Sequence, residues 1–187
     1  MMWPWGHLTF GYLFYFGWTH LRYRHRSQPL AVVALAIGTQ FPDIVDKPLA
    51  YWWAVLPEGR SLAHSFLFMI PICAIIIYTT KKRGIPKTGS AFAIGYSSHT
   101  IADGLPAILA WKPSELTFFV YPLLPLPDYE ADSFAHHLAD LAMTLNELSL
   151  ERVLLAWDSF FVIELYLTVF VMILWVYDGA PPLPTGW

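Results

Sequence analysis

The sequence predicts an all-α integral membrane protein, a bundle of about five transmembrane or embedded helices plus an interfacial amphipathic segment. Three observations carry this reading. Of the 187 residues, 56% are hydrophobic and 17% aromatic, while only 13% are charged, against roughly 25% in a soluble domain. A domain of this size still exposes much of its area, so that much apolar surface cannot be hidden in one globule, and lipid is the natural solvent for the rest. The apolar residues also come in runs separated by short polar or proline-bearing turns. Finally, 7 of the 11 basic residues (Arg22, Arg24, Arg26, Lys81, Lys82, Arg83 and Lys87) fall in two short turns. The net charge of −3 gives no footing for nucleic acid. Lone Cys73 cannot form an internal disulfide.

The elements follow in order. Helix one is read from Leu8 to His20 and ends at Arg22, Arg24, His25 and Arg26. No basic stretch precedes it, so no cleaved signal peptide is expected. Helix two, Leu30 to Phe41, is expected to stop at Pro42. A loop or interfacial segment, Asp43 to Ser61, carries Tyr51, Trp52 and Trp53, which suit the headgroup level. Helix three is His64 to Thr80, followed by a basic turn with Gly84, Pro86 and Gly89. Helix four runs from about Ser90 to Trp111, with a break expected near Gly104–Pro106. The segment Lys112 to Trp157 starts proline-rich and turns amphipathic from Ser133. Helix five, Asp158 to Tyr177, is about 20 residues and the clearest spanning segment. One domain, residues 1–178, is expected, with a disordered Pro-rich tail at 179–187.

Charge orients this bundle. The positive-inside rule puts both basic turns in the cytoplasm, which sets Met1 outside and Trp187 inside in a multi-pass cell-membrane protein. His7, Asp43, His64, His99 and Asp103 then sit in the outer halves of their helices. At ~1.5 Å per residue from the cytoplasmic turns they lie ~14–24 Å up, within a hydrocarbon core about 30 Å thick. Ionisable groups are expensive there, and each is a functional candidate. The spacing His99-x-x-x-Asp103 puts both side chains on one helix face, and imidazole with carboxylate is a usual ligand set for zinc. Read singly, each has an ordinary alternative: a hydrogen-bonded packing histidine, or a helix cap at Asp43. Four helices delivering such groups to one level is the more informative observation.

Pro42-Asp43, Arg60-x-x-x-His64-Ser65 and His99-x-x-x-Asp103, with the early His7, together resemble the YdjM-like membrane-bound metal-dependent hydrolases. The resemblance covers roughly residues 5 to 125. The chain departs from the family pattern at Gly59 and Ala63, where His and Thr are frequent. The order of ligands is also distantly similar to zinc-dependent phospholipase C and nuclease enzymes. What the resemblance implies is metal ligation by His7, Asp43, His64, His99 and Asp103, with Arg60 holding an anion; an Arg fork matches phosphate geometry, although a snorkelling anchor is the alternative. His136-x-x-x-Asp140, beside His137, repeats the i, i+4 geometry and is a possible second metal pair, or else the polar face of an interfacial helix. Asp46 is a candidate general base or second-metal ligand; its alternatives are a salt bridge to Lys47 and a helix cap. Glu164 either bonds within the bundle or lines a cavity.

The function expected is that of a membrane-bound metal-dependent hydrolase acting on a phosphoester or similar bond of a lipid-like substrate. The metal is zinc first, with manganese or iron as alternatives. Partners are membrane lipids and the lipid-like substrate, with no nucleic acid, and the site faces the extracytoplasmic side. A metal-ion or proton-coupled carrier is the first alternative, and it needs polar residues continuing toward the cytoplasm. A structural protein with a metal staple is the second, and a closed four-ligand site would favour it. A serine hydrolase has little support, because Ser65, Ser97 and Ser98 lie outside any Gly-x-Ser-x-Gly motif.

Overall fold

The computed structural model describes residues 2–23, 27–126 and 160–183, with isolated positions at 139, 142, 143, 146 and 149. Among the described residues the chain is all-α. Five α-helices, α1 (Pro4–Tyr23), α2 (Pro29–Tyr51), α3 (Phe66–Lys82), α4 (Pro86–Leu109) and α5 (Phe160–Tyr177), are joined by one 3-10 helix, Pro113–Val120. One helix, α2, is long and apolar enough to cross a membrane; α5 is a shorter apolar helix. The expectation of about five transmembrane or embedded helices is corrected to that extent. Two physical causes separate the others from a simple span. α3 has 17 residues, ~26 Å at helical rise, and α1 and α4 carry the polar side chains of the site.

Helix two does not stop at Pro42. It continues through Pro42 and Pro48 to Tyr51. Proline removes one N–H and with it the bond to the carbonyl four residues back, Gly38. Helix packing compensates, because Gly38 lies so close to α4 that an added Cβ would stand 2.3 Å from the Phe92 carbonyl oxygen. The consequence is that Asp43 and Asp46 are helical residues rather than loop residues. The break expected in helix four is also absent, since α4 passes through Gly104 and Pro106. α3 begins two residues later than expected, at Phe66, with Ser65 as its N-cap accepting from the Leu67 N–H at 3.2 Å. It ends at Lys82, and Gly84, two residues on with a φ of +75°, turns the chain back into α4.

Close packing of small residues sets the helix arrangement. A Cβ at Gly95 of α4 would meet the Leu35 carbonyl oxygen at 2.4 Å, and one at Gly11 of α1 would meet Thr39 Cγ2 at 2.4 Å. Gly38 and Gly95 therefore let α2 and α4 approach backbone to backbone, and Gly11 lets α1 close on the Thr39 and Ser98 side chains, as small residues do in membrane bundles. Below this crossing two apolar clusters fill the bundle: Tyr12, Tyr15, Ala31, Val32, Leu35, Ala91 and Val171 in one, Cys73, Phe92 and Tyr96 in the other. The outer faces are apolar as well, with Ile70, Ile75 and Tyr78 of α3 and Val169, Ile173 and Val176 of α5 exposed.

α1 and α5 run in the same direction. Glu164 Oε1 accepts from the Trp3 N–H at 3.3 Å at one end, and Asp178 Oδ2 accepts from the Tyr12 hydroxyl at 2.8 Å toward the other. Glu164 thus bonds within the bundle at the start of α1. Of the tail, residues 179–183 fold into a turn in which the Trp175 indole N–H donates to the Pro181 carbonyl at 2.6 Å. The amphipathic stretch expected from Ser133 onward lies largely outside the described residues.

Candidate metal centre

The centre is assembled from α1, α2, α4 and the loop before α3. Three of its groups are fixed by helix register. Asp43 stands late in α2, and His99 and Asp103 share one face of α4 a turn apart, with both Asp103 and His99 buried. His64 has no helix of its own to place it. It sits in the loop between α2 and α3, and Asp46 folds that loop around itself. The Asp46 carboxylate, fully buried, accepts from the backbone N–H of Ser61 at 2.9 Å, of Ala63 at 2.8 Å and of His64 at 3.3 Å. It also accepts from His64 Nδ1 at 2.8 Å. The Tyr96 hydroxyl pins the same loop to α4 by donating to the Ala63 carbonyl at 2.6 Å.

Four ligand atoms then converge. His64 Nε2 lies 3.1 Å from His99 Nε2, 3.2 Å from Asp103 Oδ2 and 3.5 Å from Asp43 Oδ1. His99 Nε2 lies 3.6 Å from Asp103 Oδ2 and 3.8 Å from Asp43 Oδ1. All four atoms are within 4.8 Å of one another. Ligands at ~2.0–2.2 Å from a tetrahedral zinc ion stand roughly 3.3–3.6 Å apart, so the spacing fits a divalent metal.

The hydrogen bonding around the rings decides what the centre wants. His64 Nδ1 faces the Asp46 carboxylate, and His99 Nδ1 faces the Thr39 carbonyl at 2.6 Å. Both partners only accept, so both Nδ1 atoms carry the proton and donate it outward. Each imidazole thereby turns an Nε2 lone pair toward two carboxylate oxygens. A single proton can bridge two of these four acceptors; a divalent cation satisfies all four. The outer partners Asp46 and Thr39 are the kind that fix ring tautomer and raise ligand basicity in metal sites. On that ground Asp46→Asn should weaken metal affinity by roughly 10–100-fold. Isothermal titration of the apo protein with zinc checks this, with circular dichroism to show that the variant keeps its helices.

The chain belongs to the YdjM family. The family model, described as YdjM inner membrane protein, matches residues 1–179. No curated protein and no solved structure matches the chain. The four-residue cluster and the family membership together establish a metal-competent, α-helical protein of a membrane family.

The remaining residues singled out from the sequence take distinct places. His7 is buried and outside the four-atom cluster. Its ring stacks on that of His99 with centroids 3.7 Å apart, and its Nε2 stands 3.5 Å from Asp103 Oδ1. His7 Nδ1 and Asp103 Oδ1 are buried without a hydrogen-bond partner. Arg60 is partly buried with its guanidinium carbon 5.9 Å from the centre of the Phe118 ring, which in turn meets the His64 ring edge-on at 6.4 Å. One aromatic ring therefore separates Arg60 from His64. Asp46 does not pair with Lys47. Lys47 reaches one turn back instead, and its Nζ sits 2.7 Å from Asp43 Oδ2. Asp43 so divides its carboxylate, one oxygen to the cluster and one to Lys47. Gly59 stands where the family often has His. A Cβ there would meet the Tyr51 hydroxyl oxygen at 2.5 Å, so the departure is built into the packing. His136, His137 and Asp140 lie outside the described residues.

Sequence reading missed Thr39, Lys47 and the three packing glycines. Lys47 stands four residues after Asp43 on what proves to be a helix, and that spacing was readable only once the helix was known to run through Pro42. Thr39 acts through its backbone carbonyl, for which no side-chain signal exists.

Proposed function

We propose that this chain is a multi-pass, membrane-bound metal-dependent hydrolase, with its site on the extracytoplasmic side, acting on a phosphoester or similar bond of a lipid-like substrate. The observation that carries the proposal is the convergence of four acceptor atoms whose histidines both donate outward. Asp43, His64, His99 and Asp103 would hold the metal, zinc first and manganese or iron as alternatives, with His7 beside them. Such an ion supplies Lewis-acid polarisation of the scissile group and an activated water.

The protein's own groups divide the rest of the work. Asp46 orients His64 and holds the proton of its Nδ1, so that Nε2 is the nitrogen turned to the metal; all its hydrogen bonds go to the loop and to that ring, which favours a positioning role over that of general base. Lys47 fixes the rotamer of Asp43 and leaves a cation at the one ligand that reaches the surface, Asp43 being 14% exposed against 3% or less for the other three. Arg60 stands four residues before His64 in the same loop, with its guanidinium over the Phe118 ring that also meets His64. Lys47 and, on a change of rotamer, Arg60 would suit an anionic group and steady charge that develops on it. Arg60→Lys should lower turnover more than binding, because a point charge replaces a two-pronged donor. Headgroup or phosphate release from a panel of lipids by metal-loaded protein gives both constants; wild-type turnover in Arg60→Lys, with only the neutral Arg60→Gln impaired, would remove the argument for a fork.

A metal staple is the second reading, and the four-ligand enclosure favours it. One buried atom beside the cluster without a hydrogen-bond partner, His7 Nδ1, weighs against it. A purely structural site has no use for unsatisfied polar atoms beside it, whereas a site that admits water or substrate does. A carrier is the third reading: among the described residues, Thr9, Thr168, Tyr12 and Asp178 place polar groups between the centre and the basic end, within otherwise apolar packing.

Orientation has its own test. Lys81, Lys82, Arg83 and Lys87 stand at the opposite end of α3 and α4 from His64 and Asp103. With the positive end cytoplasmic, a cysteine at Lys82 should label only from inside and one at Glu115 only from outside. Labelling of Lys82 from outside would invert the proposed topology.

A further inference from the structure

α1, α2 and α5 leave a groove between them. α1 forms its floor and α2 and α5 its walls, enclosing a cavity of about 230 Å³. A cavity of roughly 150 Å³ lined by aliphatic groups stays dry and takes a benzene-sized guest, so this one holds more than a side chain. Leu8, Val32, Leu35, Val171 and Met172 give it an aliphatic lining. Four polar side chains also line it, and each has already committed its hydrogen. The Thr168 hydroxyl donates to the Glu164 carbonyl at 2.7 Å, which leaves Thr9 to donate to Thr168 Oγ1 at 3.2 Å. The Tyr12 hydroxyl donates to Asp178 and the Trp175 indole to Pro181. A polar guest finds no free donor there.

The groove has direction. Along α5 it extends from Thr168 to Trp175, ~10 Å at helical rise. One end lies beside the candidate metal centre: Leu8 and Thr9 follow His7 directly, and Ala36 stands one turn before Thr39, whose carbonyl receives His99. The other end is lined by Trp175 with Pro181 and Pro182. Leu8 and Met172 of the lining are exposed, so the groove reaches the surface, and one wall, α2, is the helix long and apolar enough to cross a membrane.

We infer that this groove binds one alkyl chain of a membrane lipid, its head end at the level of His7 and its chain directed toward Trp175. The inference rests on the hydrolase reading only for what the head end meets; chain binding stands apart from it. A groove of about 230 Å³ with an aliphatic lining and no free side-chain donor is too small for a helix and suits an alkyl chain.

The test uses full-length protein in nanodiscs containing phosphatidylglycerol with a diazirine at the end of one acyl chain. Photolabel should concentrate on Val171, Met172 and Trp175, and should fall about tenfold when Ala36→Trp fills the groove from α2. Met172→Trp, filling it from α5, should do the same to label on Trp175. The same labelling is run on His99→Ala. Label retained there while hydrolysis is lost separates the groove from the chemistry. In the metal-loaded enzyme, Ala36→Trp should raise KM for long-chain lipid about tenfold and leave turnover of bis(p-nitrophenyl) phosphate unchanged. Equal labelling of the exposed α3 residues Ile70 and Ile75, label unmoved by either tryptophan, or cross-links to a second copy or to residues 127–159 in place of α5 would overturn the inference.

Discussion

His99→Ala is expected to strip the protein of its metal and, with it, of all hydrolytic activity, while the helices stay folded. The side chain supplies one of four converging ligand atoms, and its Nδ1 bond to the Thr39 carbonyl is the centre's direct tie between α4 and α2. Its removal leaves a small cavity beside the His7 ring, which now stacks on it at 3.7 Å. That packing loss costs a few kcal/mol at most, and the stabilisation a bound divalent ion gives the folded state is lost with it, so the variant should keep its helices but unfold at a lower temperature. Metal analysis of detergent-purified protein should read about one ion or more per wild-type chain and close to none in the variant. Asp103→Asn should likewise abolish activity with the fold kept, because the amide is a poor ligand of nearly the same shape. Hydrolysis that survives both chelation and loss of His99 would rule out a metal mechanism, and transport without any turnover would favour the carrier.

Gly95→Val is expected to have the largest effect on the fold. A Cβ at this position would stand 2.4 Å from the Leu35 carbonyl oxygen and 2.9 Å from the Thr39 backbone nitrogen, and both are backbone atoms that cannot rotate away. α2 and α4 must separate to admit it. Overpacking of this kind typically costs ~1–3 kcal/mol and occasionally more, and here it acts on the helix pair that carries the site. Separation moves Thr39 from His99 and Asp43 from His64 and Asp103 together. Thermal unfolding in detergent should show a lower midpoint, and zinc binding should fall even where the variant folds. Gly17→Ala is the control: nothing lies within 4 Å of its added Cβ, so it should behave as wild type. A Gly95→Val protein with unchanged midpoint and metal content would mean that the close crossing does not hold the centre.

The reach of the sequence can be judged residue by residue. His99 and Asp103 were readable because a four-residue spacing on a helix fixes a shared face whatever surrounds it. Convergence of Asp43 and His64 on the same level followed from counting rise along helices between two basic turns. The helical class followed from composition, since so apolar a chain has few other ways to satisfy its backbone in lipid. Boundaries were less readable. Pro42 is a local stop signal, and it is overridden by α2–α4 packing through Gly38, Gly95 and the Phe92 backbone; no property of residues 30–51 announces that contact. The number of helices able to cross a membrane was overestimated for another reason: α1 and α4 are long enough, at 20 and 24 residues, but carry too many polar side chains to count as apolar spans.

By itself, then, the sequence determined the helical class, the register of His99 with Asp103 and the common level of the ionisable groups, all of which depend on local periodicity and chain length. Only the tertiary structure decided that Asp46 stands behind His64, that Lys47 holds Asp43, that His7 stacks on His99 outside the four-atom cluster, and that Thr39 contributes a carbonyl. Each of these depends on how α1, α2 and α4 cross and on how the loop before α3 wraps one buried carboxylate. Most of these contacts join residues far apart in the chain, one through a backbone carbonyl, and the Lys47–Asp43 pair becomes a neighbour only because α2 runs through Pro42, so none is marked by the order of side chains alone.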